Sequence, residues 1–136
     1  MFEVHKGDDG SFQELAHNSD VVFGQLSVLT VAPGASRGGH YHTRKQEWFC
    51  CMHGSCKMEM IDTVDNSMRV VYLNENERQF VLVKPYESHT VINQNYSEAC
   101  ELIIIISEEY NRNDPDTIKY ISRCETHGVE NCKACR

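Results

Sequence analysis

Apolar and polar positions alternate with a period of two along much of the chain. In "CKMEMI" (residues 56–61), Cys56, Met58 and Met60 fall on one side and Lys57 and Glu59 on the other, as in a strand with one buried face. Residues 21–32, "VVFGQLSVLTVA", are rich in β-branched residues and stop at the turn signal Pro33-Gly34. "EWFCCM" runs into the turn His53-Gly54-Ser55, and "MRVVYL" (68–73) and "QFVLV" (79–83) flank the polar "NENER". "SHTVINQ" (88–94) and "CELIIIIS" (100–107) complete the set. Helical periodicity is weak until "PDTIKYISR" (115–123), where Pro115 stands near the start of one expected short helix. Many short strands punctuated by turns predict an all-β barrel or sandwich. No repeat or linker interrupts it, so residues 1–123 read as one domain and 124–136 as a cysteine-rich tail.

Composition narrows the function classes. The 136 residues suffice for one core, and a formal charge of −7 disfavours nucleic-acid or anionic-membrane binding. "MFEVHKGDDG" is too polar for a secretory signal and "LIIII" (102–106) too short to span a bilayer, so the expected location is cytoplasmic. There the seven cysteines are expected to be reduced, and the odd number leaves at least one unpaired.

Candidate chemistry centres on "GASRGGHYHTRKQEWFCCMHG", residues 34–54. Residues two apart on a strand share a face, so His40 and His42 project together while Tyr41 faces away. Glu47 can return to the same pocket after a short turn, and a later strand offers His89. Three imidazoles and a carboxylate suit a divalent metal such as zinc, iron, nickel or manganese, its identity left open. Without a metal, a neutral histidine near its ordinary pKa of ~6.5 would serve as a base, with His42 and His89 the candidates. The plainer alternative is that the histidines decorate a strand end. Trp48 and Phe49 read as core.

The glycine, five residues, His-x-His, four residues, Glu, six residues, glycine pattern resembles the first cupin motif, met by Gly34, His40, His42, Glu47 and Gly54. His89 and Asn93 match the second motif, while Tyr86 stands at its inner glycine, Lys84 at its first proline and Arg78 at its leading glycine. The resemblance implies a cupin double-stranded β-helix, or jelly roll. Over roughly residues 8–121 the chain is similar to the C-terminal cupin domain of capsular-polysaccharide reductase/epimerases acting on UDP-linked 4-keto sugars. The resemblance is carried by "PGASRGGHYHTRKQE", by Pro115-Asp116-Thr117 and by "DDGSFQEL", where Asp9 replaces the usual arginine. A rival resemblance is to the thymidine-diphospho-4-keto-6-deoxyglucose 3,4-ketoisomerases, through Arg37 to His42 and "GSCK"; the tyrosines typical of their preceding strand are absent from "FGQLSVLTV".

Either resemblance implies an isomerase that removes the C3 proton of a nucleotide-linked 4-keto-6-deoxy sugar in surface-polysaccharide biosynthesis. It implies a nucleotide-sugar ligand, and a separate reductase as a partner. Arg37 and Lys45 flank the histidine strand and are the candidates for gripping the diphosphate. A metal-dependent oxygenase and a non-catalytic sugar-nucleotide-binding cupin are the alternatives. Small cupins pair, and exposed edge strands favour a homodimer. In the tail, Cys124, His127, Cys132 and Cys135 have the ligand types for a structural zinc, with a reduced tail or a disulfide as alternatives. Cys50, Cys51, Cys56 and Cys100 read as small buried hydrophobes.

Overall fold

A computed structural model describes residues 1–120. The possible tail zinc set Cys124, His127, Cys132 and Cys135, and the boundary at residue 123, lie outside the described residues.

The chain forms β1 (Val4–Gly7), β2 (Gly10–Gln13), β3 (Gln25–Val31), β4 (Ser36–Tyr41), β5 (Glu47–His53), β6 (Ser55–Asp62), β7 (Met68–Asn74), β8 (Val81–Val83), β9 (Glu87–Ile92), β10 (Cys100–Ile106) and β11 (Ile118–Lys119). All ladders are antiparallel. β1 and β2 make a separate hairpin, and the rest form a four-stranded sheet, β3-β10-β5-β8, and a five-stranded sheet, β11-β4-β9-β6-β7. From β3 onward nearly every connection crosses from one sheet to the other, and only β6 and β7 are sheet neighbours in sequence. This crossing makes the body a jelly roll.

The alternation in the sequence becomes the inner face of the roll. Cys56, Met58 and Met60 of β6 meet Leu102 and Ile104 of β10, Phe49 and Cys51 of β5, and Val31, Val83 and Val91 in one core. Fully burying such side chains contributes roughly 1.5–3 kcal/mol each. Trp48 points to the opposite face of its sheet, sharing a cleft with Phe2, Leu15 and Val21, so the N-terminal segment covers it. Cys50, Cys51, Cys56 and Cys100 are all buried and free, as read from the sequence.

Two expectations need correction. Strand β3 starts at Gln25 rather than at residue 21, because Gly24 packs against the backbone of Glu108, where a Cβ would lie 2.5 Å from its Cα. The helix expected over 115–123 is not formed in its described part. Asp116 takes a left-handed φ of 48°, and Ile118 and Lys119 pair with Tyr41 and His40. The cause is a tertiary contact: the Asp116 carboxylate is held by the turn after β4, and no helical register satisfies it.

Candidate active site

Two glycines decide which way the histidines face. Arg37 lies opposite the core residue Val91, Gly38 opposite Thr90, and His40 opposite His89, so Gly39 is an extra residue in the ladder. Gly38 and Gly39 both adopt positive φ, 116° and 80°. The bulge shifts the alternation by one position, turning His40, and His42 after it, toward the inside of the roll. A regular strand would have turned them outward.

His42, Glu47 and His89 are buried and His40 is half-buried, and one ligand atom from each lies within 4.8 Å of all the others. Oε1 of Glu47 is 2.5 Å from Nε2 of His42 and 3.2 Å from Nε2 of His89. The His40 ring sits edge-on to those of His42 and His89, at centroid separations of 5.2 and 4.8 Å. Phe49 backs His89 at 5.5 Å. Sheet pairing thus assembles the four residues read as ligands.

The hydrogen bonds fix the chemistry of His42. Its Nδ1 is 2.6 Å from the carbonyl oxygen of Asp116. A carbonyl only accepts, so Nδ1 carries a proton. In a neutral ring Nε2 then presents a lone pair to the Glu47 carboxylate, a repulsive pairing unless a proton or a metal cation stands between them. Burial alone would lower the basicity of His42; the bond to Glu47, its charge and the Asp116 carbonyl outweigh this and raise the pKa. Burial would likewise raise the pKa of Glu47, but bonds from His42 and His89 bring it well below the carboxylate range. Burial, with the charges of His89 and His42, pushes His40 down to about 4, keeping it a neutral donor at pH 7.

These features fit a divalent metal. Bonds of about 2.0–2.1 Å in a tetrahedron place ligand atoms about 3.3 Å apart. The His89–Glu47 separation of 3.2 Å meets this, His42 and Glu47 would part from 2.5 Å by less than about 1 Å, and the widest pair, within 4.8 Å, would close by at most about 1.5 Å.

The other candidate residues have separate placements. Arg37 starts on the inner face beside Val91, is exposed, and takes part in no ion pair among the described residues. Lys45 is buried; its ammonium donates to the carbonyl of Pro115 at 3.0 Å and lies 5.5 Å from the centre of the Tyr110 ring. Asn93, the second-motif asparagine, is a fastener: its Nδ2 donates to the carbonyls of Val31, Ala32 and Glu98 and its Oδ1 accepts from Asn95 N. Asp116 is the site residue that sequence reasoning did not assign. Its only signal was membership of the Pro-Asp-Thr segment.

A model of the polysaccharide biosynthesis C-terminal domain family matches residues 5–118. The chain belongs to this family. The chain is 27% identical over 114 residues to the UDP-2-acetamido-2,6-beta-L-arabino-hexul-4-ose reductase of Pseudomonas aeruginosa, a match covering 84% of the chain and 30% of the reductase. The crystal structure of the capsular polysaccharide assembling protein CapF from Staphylococcus aureus aligns with a TM-score of 0.69 at 24% identity, over 88% of this chain and 34% of CapF. The 3,4-ketoisomerase QdtA from Thermoanaerobacterium thermosaccharolyticum, solved as a variant with TDP-4-keto-6-deoxyglucose, aligns with a TM-score of 0.70 at 19% identity, over 87% of this chain and 83% of QdtA. The chain therefore shares the cupin fold of CapF and QdtA, and spans about a third of the length of the reductase and of CapF.

Proposed function

We propose that this domain is a sugar-nucleotide isomerase that enolises a nucleotide-linked 4-keto-6-deoxy sugar at C3. The observation that carries the reading is the cluster of half-buried His40 with buried His42, Glu47 and His89 inside the roll. Its support is the family membership and the sugar-nucleotide chemistry of the relatives that share the fold.

The C3 hydrogen is acidified by the neighbouring ketone. An imidazole takes that proton, the C3–H electrons form the C3–C4 double bond, and the carbonyl electrons move onto O4. Return of a proton to the opposite face of C3 inverts it. Return at C4, with the O3 proton passing to O4, gives the 3-keto isomer. Without a metal, His89 and His42 are the candidate bases, His42 once the proton held between its Nε2 and Glu47 has moved to the carboxylate; a positioned base of this kind contributes typically 10²–10⁴-fold. A metal held by His40, His42, Glu47 and His89 would supply a Lewis acid for the O4 charge. Burial keeps the cluster in a low dielectric, where charge stabilisation is stronger than in water.

Arg37 is the candidate grip for the diphosphate, since its guanidinium can form paired bonds to phosphate oxygens. Lys45 is the weaker candidate, its ammonium being bonded to Pro115. The domain is proposed to work as a homodimer through its exposed edge strands, and to pass its product to a reductase, since the matched Pseudomonas aeruginosa protein is a reductase that extends well beyond the shared region. The test is solvent-deuterium uptake at C3. Bound iron with oxygen consumption would instead identify an oxygenase, and ligand binding without exchange a binding module.

A further inference from the structure

The closing segment of the chain reaches the site through one residue. The Asp116 carboxylate accepts bonds from Thr43 N at 2.8 Å and Thr43 Oγ1 at 2.5 Å on one oxygen, and from Arg44 N at 2.8 Å and Lys45 N at 3.2 Å on the other. It therefore gathers consecutive N–H groups of the turn that joins His42 to Glu47. The same residue's main-chain carbonyl accepts from Nδ1 of His42 at 2.6 Å. Asp116 is buried and sits at a left-handed φ of 48°, which is uncommon for non-glycine residues and most accessible to Asp and Asn. On either side, Pro115 O accepts from Lys45 Nζ and β11 pairs with His40 and Tyr41.

We infer that Asp116 is a positioning residue for His42. Its carboxylate locks the 43–45 turn to the closing segment, and the lock holds its carbonyl where it fixes the His42 proton on Nδ1. Nε2 is then the atom turned to Glu47 and to whatever the cluster binds. This coupling explains why one residue satisfies both the turn and the ring. The inference rests on His42 serving at the site as proposed, but its physical content, the ring's tautomer and direction, is measurable without turnover.

Two variants separate the roles. Asp116→Gly keeps the carbonyl and tolerates the positive φ while removing the carboxylate. Asp116→Asn keeps one acceptor oxygen and also tolerates that φ. Long-range ¹H–¹⁵N spectra of the full chain report the protonation of each His42 nitrogen, and competition with a chromophoric chelator reports zinc affinity. The wild type is expected to show a protonated, hydrogen-bonded Nδ1. Asp116→Gly should lose that signature and bind zinc about 10–100-fold more weakly, the usual effect of removing a partner behind a metal-ligating histidine. Asp116→Asn should fall between, and in turnover kcat should drop with KM little changed. Lowered thermal stability with unchanged His42 signals and zinc affinity would overturn the inference, leaving Asp116 a fastener only. A wild-type His42 protonated on Nε2 alone would overturn it without any variant. If the wild type fails to exchange C3 hydrogen, the proposed reaction falls, while the tautomer measurement still decides the role of Asp116.

Discussion

Gly38 lies so close to His89 that a Cβ on it would sit 2.5 Å from the His89 carbonyl oxygen. This contact is the hinge of the bulge that turns His40 into the roll opposite His89. Gly38→Ala must displace backbone and adopt a φ of 116°, which L residues avoid. We predict a loss of about 1–3 kcal/mol in denaturant unfolding. Gly39→Ala meets no neighbouring atom within 4 Å and should cost less, through its φ of 80° alone.

Metal binding should register as stability. Added zinc at about 100 times its dissociation constant stabilises a folded binder by roughly 2.7 kcal/mol. The melting temperature of wild type should therefore rise with zinc and fall back with a chelator. Glu47→Gln, which removes the charge facing His42 and His89, should abolish most of that rise. An equal zinc response in both proteins would place the metal elsewhere.

Acid should loosen the closing segment. Burial raises the Asp116 pKa, but the bonds from Thr43 Oγ1 and the N–H groups of residues 43–45 outweigh it and leave it well below the usual carboxylate range. A depressed folded pKa contributes stability that is complete above the unfolded value of about 3.9 and is lost as pH falls below it. Below about pH 4 the wild type should lose stability more steeply with falling pH than Asp116→Asn, whose side chain does not titrate. Parallel pH profiles would show that the carboxylate bonds contribute nothing.

Strand β3 is an edge of the four-stranded sheet and presents Leu26 and Val28 outward, 57% and 64% exposed. If the domain pairs through this edge, a charge there should prevent it. Val28→Asp should convert a dimer to a monomer in sedimentation velocity with its zinc response intact. A persistent dimer would move the interface to another face.

The period-two stretches were legible because each has one face in the core: Met58 and Met60 against Lys57 and Glu59 is the plainest case. The site was legible as a set of residue types, and the ladders bring all four together. Less legible was what long-range contact decides. The β1–β2 hairpin has no buried face to leave a pattern. The inward direction of His40 depends on the extra residue Gly39, which spacing alone does not reveal. Residues 115–120 carry a helical pattern, yet Asp116 is claimed by a turn more than seventy positions earlier.

Enolisation at C3 is read out by deuterium uptake. Incubate wild type, His42→Ala and His89→Ala with UDP- and dTDP-linked 4-keto-6-deoxy sugars in D2O, with and without zinc, and follow C3 by NMR. Deuterium is expected at C3 in the wild type, with a new stereoisomer or a 3-keto product, and a loss of at least about 100-fold in both variants. No exchange with any of these sugars under either metal condition, or undiminished exchange in both variants, would contradict it.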